Sequence, residues 1–103
     1  MFIAWTTVAD RETADRLAAE AVSRSLAACV QVEGPVTSHY RWRGALEKAE
    51  EFRLMFKVLP EHLADLEAWL HERHPYETPE WLAVRAEQVG EKYLSWAARS
   101  LDT

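Results

Sequence analysis

Val30-Gln31-Val32-Glu33-Gly34-Pro35-Val36-Thr37-Ser38-His39-Tyr40-Arg41-Trp42-Arg43-Gly44 carries the first evidence of architecture. From Val30 to Trp42 the chain reads as a strand, and Gly34-Pro35 breaks it into a bend or bulge. Beyond the break the residues alternate, with Val36, Ser38, Tyr40 and Trp42 on one side and Thr37, His39, Arg41 and Arg43 on the other. Gly44 begins a turn. A further strand follows through Phe52, Leu54, Phe56 and Val58, with Arg53, Met55 and Lys57 opposite. The two strands make an antiparallel hairpin whose arms exceed the ordinary strand length of ~5–6 residues. So long a hairpin cannot be fully paired inside a small sheet, and its excess needs a partner or leaves an open edge.

Working outward, Phe2 to Val8 is nearly all apolar or β-branched, as a central strand covered on both faces would be. Asp10 is placed as an N-cap, and Ala14, Leu17, Ala18, Ala21, Val22 and Leu26 then fall at the spacing of a buried helix stripe. Pro60 suits the first turn of a second helix carrying Leu63, Leu66 and Leu70 on one face, which stops before Pro75. Trp81 to Ala86 reads as a fourth strand. Gly90 precedes a last helix with Leu94, Ala97, Ala98 and Leu101 at helical spacing. The order is βαββαβ plus one helix. It predicts an α+β, ferredoxin-like antiparallel sheet with two helices on one face and an extra C-terminal helix. The other face is left bare, carrying Met55 with either Tyr40 and Trp42 or their neighbours. An apolar face of that size is usually a subunit interface, and five tryptophans in so short a chain point the same way.

Composition narrows the function. With 103 residues the chain is one domain, 1–103, and its 49% hydrophobic and 28% charged content is that of a globular fold. The net charge of −5, without a block of lysine or arginine, argues against a nucleic-acid partner. The single cysteine, Cys29, excludes an intrachain disulfide or a self-contained thiolate metal site and suits a reducing cytoplasm. Met1-Phe2-Ile3-Ala4-Trp5 lacks the basic start of a signal peptide, and no apolar run reaches the ~20 residues of a membrane span.

His74-Pro75-Tyr76-Glu77-Thr78-Pro79-Glu80 concentrates the chemistry: an imidazole, a phenol and carboxylates on backbone stiffened by two prolines. Pro75 places His74 just past the second helix, on an exposed, rigid segment that holds side chains ready for a ligand. The same prolines also serve a helix-to-strand connection by turn chemistry alone.

Several motifs in order resemble the CutA divalent-cation tolerance family, from the first strand to the last helix. They are Trp5-Thr6-Thr7, Leu26-Ala27-Ala28-Cys29-Val30, Thr37-Ser38-His39-Tyr40-Arg41-Trp42-Arg43-Gly44, the His74–Glu80 string and Tyr93-Leu94-Ser95-Trp96. The resemblance implies a homotrimer of ferredoxin-like subunits, built like the PII-like signalling trimers. It also implies a non-enzymatic role in binding copper or another divalent cation, in tolerance and in the response to metal ions, with no obligatory cofactor. Its metal residues fall at His74 and Cys29. Some members carry a cysteine and a second histidine where this chain has Thr6 and Arg73, and arginine cannot ligate. Lys57, Tyr76, Glu80 and Trp96 match positions the family tends to keep. With Tyr40 and Trp42 they form either a small-molecule cleft between subunits or an interfacial salt bridge with packing.

Other donors are weaker. His71 and His74 are three apart, but Pro75 draws His74 off the helix, and His39 and His62 lack a local partner. Cys29 also reads as a small buried residue at a junction. Glu47, Glu50 and Glu51 near the turn read as a solvated, cation-attracting surface. Catalysis finds no support. The acylphosphatases share this fold, but their anion loop needs glycine and arginine where this chain has Thr6-Thr7-Val8-Ala9-Asp10, and no nucleophile sits beside a base. The competing function is a PII-like signalling or scaffold trimer that binds a small molecule or partner protein at its interface.

Overall fold

A computed structural model of the chain describes residues 1–100. In order it has β1 (Phe2–Val8), α1 (Arg11–Ser23), β2 (Cys29–Trp42), β3 (Ala45–Val58), a 3₁₀ turn at Pro60–His62, α2 (Leu63–Arg73), β4 (Leu82–Arg85) and α3 (Glu91–Ser100). The four strands form one antiparallel sheet in the order β2-β3-β1-β4, the ferredoxin-like topology. No helix of the described residues is long and apolar enough to cross a membrane.

Local chemistry sets the boundaries. The Asp10 carboxylate accepts the Thr13 N–H at 2.7 Å and so caps α1, and this bond holds the carboxyl below its usual pKa. The β2–β3 turn is Arg43-Gly44, both at positive φ (50° and 82°), the geometry whose twist matches a two-residue hairpin. β3 therefore starts at Ala45, earlier than the apolar run from Phe52 suggests.

Side chains from α1 (Ala14, Leu17, Ala21) and α2 (Leu66, Trp69, Leu70) pack on Ala4, Val8, Leu54, Phe56 and Val58, which share one face of the sheet. Val22, expected in the α1 stripe, is instead exposed. On α2, Trp69 joins Leu66 and Leu70 in the core while Leu63 is only partly buried. The fourth strand is shorter than expected, four residues, all exposed. A second cluster of Ala28, Leu59 and Ala97 seats α3 at one end of the sheet. Leu94 and Ala98 on that helix are exposed, and Leu101 lies outside the described residues.

The opposite face carries rows that register defines: Gln31, Met55, Trp5 and Leu82 in one, Cys29, Lys57, Ile3 and Val84 in the next. None of their apolar members belongs to either buried cluster of the described residues. The bulge decides what continues this face along the hairpin. Between Glu33 and Val36, β2 advances three residues while β3 advances two, from Arg53 to Glu51. The extra residue flips the phase of β2. Val30 and Val32 face the core, whereas Val36, Ser38, Tyr40 and Trp42 pair with Glu51, Ala49, Glu47 and Ala45, on the Met55 side. Of the two alternatives open from sequence, Tyr40 and Trp42 are thus the ones on the uncovered side.

Gly34 makes the bulge possible. At φ +153°, a Cβ there meets the Phe52 ring at 2.6 Å and the Glu51 carbonyl at 3.1 Å. Gly34→Ala is expected to lower unfolding free energy by about 1–3 kcal/mol, the usual range for overpacking. Urea denaturation checks this, and an unchanged midpoint would show that the bulge has room to adjust.

Candidate functional site

Helix α2 ends at Arg73 because Pro75 bars further helix, and His74 turns to φ −67°, ψ 134°. The expected exposure of His74 is not what the fold shows: the residue is 8% exposed, folded in against the end of β1. Its Nδ1 accepts the Tyr76 N–H at 3.0 Å. Its Nε2 lies 3.0 Å from both the Thr7 carbonyl oxygen and the Thr6 hydroxyl. An N–H can only donate and a carbonyl can only accept, so the ring is neutral with its proton on Nε2. Burial, and secondarily the nearby His71, hold its pKa below the ordinary value, against the opposing pull of the Thr7 bond and Glu51. His74 therefore fastens the Pro75–Glu80 loop to β1.

That loop brings Tyr76 over the hairpin, where its hydroxyl donates to Glu51 Oε2 at 3.0 Å. Burial and the Glu51 carboxylate both push the phenol pKa well upward, so Tyr76 stays protonated. Glu51 is only 9% exposed, a correction to its reading as solvated surface; Glu47 and Glu50 are exposed as expected. Between loop and hairpin lies a cleft of about 810 Å³ lined by residues including Ser38, Tyr40, Trp42, Glu51, Tyr76 and Glu80. His39, without a local partner in sequence, also reaches it.

The structure thus brings together four of the six expected ligand-binding residues, Tyr40, Trp42, Tyr76 and Glu80. Lys57 and Trp96 lie elsewhere within the chain. Lys57 is four residues along β3 from Arg53, which pairs with Thr7 at the cleft; at 3.3 Å per residue that is about 13 Å. Its Nζ donates to Gln31 Oε1 at 2.8 Å. Trp96 stacks on Tyr93 with centroids 5.6 Å apart. Tyr93 in turn meets Cys29, and burial first, then the thiol, raises its pKa.

Cys29 pairs with Lys57 across the sheet, so it too stands at the far end from His74. One ion cannot reach both within a chain. Among the described residues no three His, Cys, Asp or Glu side chains gather as a metal-binding group. With both His74 nitrogens engaged as well, one chain does not fit a resident chelated metal. His71 does not join His74, since its Nδ1 bonds the Glu67 carbonyl and its ring meets Trp81 edge-on. Arg73 donates to Glu20 Oε1 at 2.8 Å and ties α2 to α1.

Glu51 is the residue that sequence reasoning missed. It sits among other acids near a turn, and only the register opposite Val36 and the Tyr76 bond distinguish it.

Residues 2–100 match the family described as CutA1 divalent ion tolerance protein. A divalent-cation tolerance protein CutA of Yersinia pestis is 39% identical over 95 residues, covering 92% of this chain and 80% of that protein. Among solved structures, CutA from Synechococcus elongatus is 38% identical at a TM-score of 0.93, covering 97% of this chain and 88% of the other. CutA from Xylella fastidiosa, 31% identical, superposes with a TM-score of 0.93 over 98% and 97% of the two chains.

The neutral His74 gives stability a pH dependence. The unfolded chain takes up a proton near the ordinary histidine value of 6.5, while the folded state resists it to lower pH. Stability therefore falls as pH drops below about 6.5, until the folded-state pKa is passed. His74→Gln is expected to flatten that slope, while His74→Ala costs about 1–3 kcal/mol at pH 7.5 through stranded partners. Urea titrations at pH 7.5 and 5.0 check both, and equal slopes in parent and Gln variant would contradict the assignment.

Proposed function

The chain belongs to the CutA1 divalent ion tolerance family, and from that membership we propose that it is a non-enzymatic, PII-like homotrimer. In this reading it binds divalent cations, copper among them, weakly and contributes to their tolerance and to the response to metal ions. The observation that carries the assembly is the uncovered sheet face, where Leu82 and Val84 are 58% and 49% exposed beside Trp5 and Ile3. Leu46, near the hairpin tip, is 79% exposed. Tip and face are different patches, so contact between them is head-to-tail, the kind of interface that makes a ring where its rotation closes; the family likeness supports a ring of three.

Weak cation binding follows from scattered donors. Cys29 supplies a soft thiolate at one end of the sheet, His74 gives up a hydrogen bond to bind, and the net charge of −5 attracts cations without chelating them. The cation is cargo in this reading, not a resident cofactor. A free, half-buried thiol supports a reducing, cytoplasmic setting.

A second reading, a trimer that senses or scaffolds through a small ligand, is favoured by the cleft between hairpin and loop, whose volume lies in the range of small-molecule sites.

Calorimetric titration with Cu²⁺ and Zn²⁺ tests the first reading. The expected result is saturable binding weaker than about 1 µM, reduced by Cys29→Ser and less so by His74→Gln. Absence of heat with both ions would refute the cation role.

A further inference from the structure

We propose that a charge pair between copies directs the head-to-tail contact: Arg41 near the hairpin tip of one copy meets Glu80 beside β4 of the next, with Leu46 seated on Leu82. The inference rests on the assembly reading above and names the residues that select its register.

Pairing sorts the tip into two unlike faces. From Ala45 to Glu51, β3 has only β2 beside it, so this end of the hairpin stands clear of the rest of the sheet. Directly paired residues share a face. Arg41 pairs with Leu46 and His39 with Lys48, whereas Tyr40 pairs with Glu47 and Trp42 with Ala45. One face of the tip therefore carries Leu46, 79% exposed, flanked by Arg41 and Lys48. Glu47 points the other way, and Glu50 lies a further pair down the ribbon, opposite Thr37.

The receiving surface has the opposite sign. Leu82 is 58% exposed, and Glu80, two residues before it, lines the same hollow with Trp5, Thr7 and Val36. From His74 to Leu82 the chain holds Glu77 and Glu80 and no lysine or arginine. Arg53 also borders the hollow, but its guanidinium is held by Glu33 at 2.7 Å. Among the described residues neither Arg41 nor Glu80 has an ion-pair partner.

Distance makes the occupant a second copy. Leu82 shares a row with Trp5 and Met55, and Met55 is nine residues along β3 from Leu46. At 3.3 Å per residue that is about 30 Å, so a chain does not lay its own tip on its own Leu82. Copies with a net charge of −5 repel one another except where a basic patch meets an acidic one. An exposed ion pair adds little affinity, so Leu46 on Leu82 supplies the apolar contact while Arg41 and Glu80 choose the orientation.

The test is charge reversal on the intact chain, with assembly read by light scattering after size exclusion across a dilution series. Arg41→Glu and Glu80→Arg, both at exposed positions, are each expected to raise the dissociation midpoint about tenfold, because each opposes like charges. The double variant restores opposite signs and is expected to return to within about threefold of the parent. Simple addition of the two effects overturns the pair and leaves the assembly standing. A parent that is monomeric throughout removes pair and assembly together. Should no dilution separate the copies, Arg41→Cys, Glu80→Cys in a Cys29→Ser background is treated with a short bismaleimide. Crosslinked dimers and trimers on a denaturing gel are expected, and a lone monomer band overturns the pair.

Discussion

Among the described residues α1 and α2 cover one side of the sheet and leave most of the other open, and the rest of the structure follows from that. Both α1 and α2 pack on the face of Ala4, Val8, Leu54, Phe56 and Val58, which is where the main core lies. The arms of the hairpin are 14 residues each, whereas β1 has seven and β4 four. β1 pairs with β3 only over Phe52–Val58, so from Ala45 to Glu51 that strand has β2 alone beside it. The chain is correspondingly elongated, 45 × 26 × 22 Å. A free-standing two-stranded ribbon is marginal in water. Burying the exposed Leu46, Leu82, Val84 and Trp42 is worth on the order of 1 kcal/mol or more apiece. Were copies to cover these residues as proposed, that sum would be comparable to the several kcal/mol that association costs.

The bulge at Gly34-Pro35 connects this architecture to the site. Had β2 run without it, Tyr40 and Trp42 would share the parity of Val30 and Val32 and lie on the helix side. One extra residue puts them on the side where Thr7, Glu51 and the loop after α2 meet. His74 completes the arrangement from the other direction. By bonding to Thr7 and Tyr76 it fixes where the loop crosses the end of β1, and so where the Tyr76 hydroxyl finds Glu51. A residue whose type suggests metal ligation is used here as a fastener.

Much of this was legible in the residues. Period-2 alternation, the Asp10 cap, the two helix stripes and the prolines around α2 gave element order and topology directly. The missing parts share a cause: they depend on tertiary phase rather than on local pattern. The face of Tyr40 hinges on how many residues the bulge inserts, which Gly34-Pro35 signals without counting. Burial of Glu51 needs Tyr76, twenty-five positions away, to be delivered by a loop. Resemblance alone groups Lys57 and Trp96 with the cleft residues, yet Lys57 lies four residues further along β3 and Trp96 on α3. Val22 fits the helical spacing of the core but is exposed, outside the buried cluster.

The account depends on copies of the chain covering one another's sheet. Multi-angle light scattering after size exclusion, at micromolar concentration, tests that most directly. The expected mass is three times the 11.9 kDa of one chain. A species of 11.9 kDa that persists on concentration would mean that the uncovered face is stable in water, and the assembly would have to be abandoned.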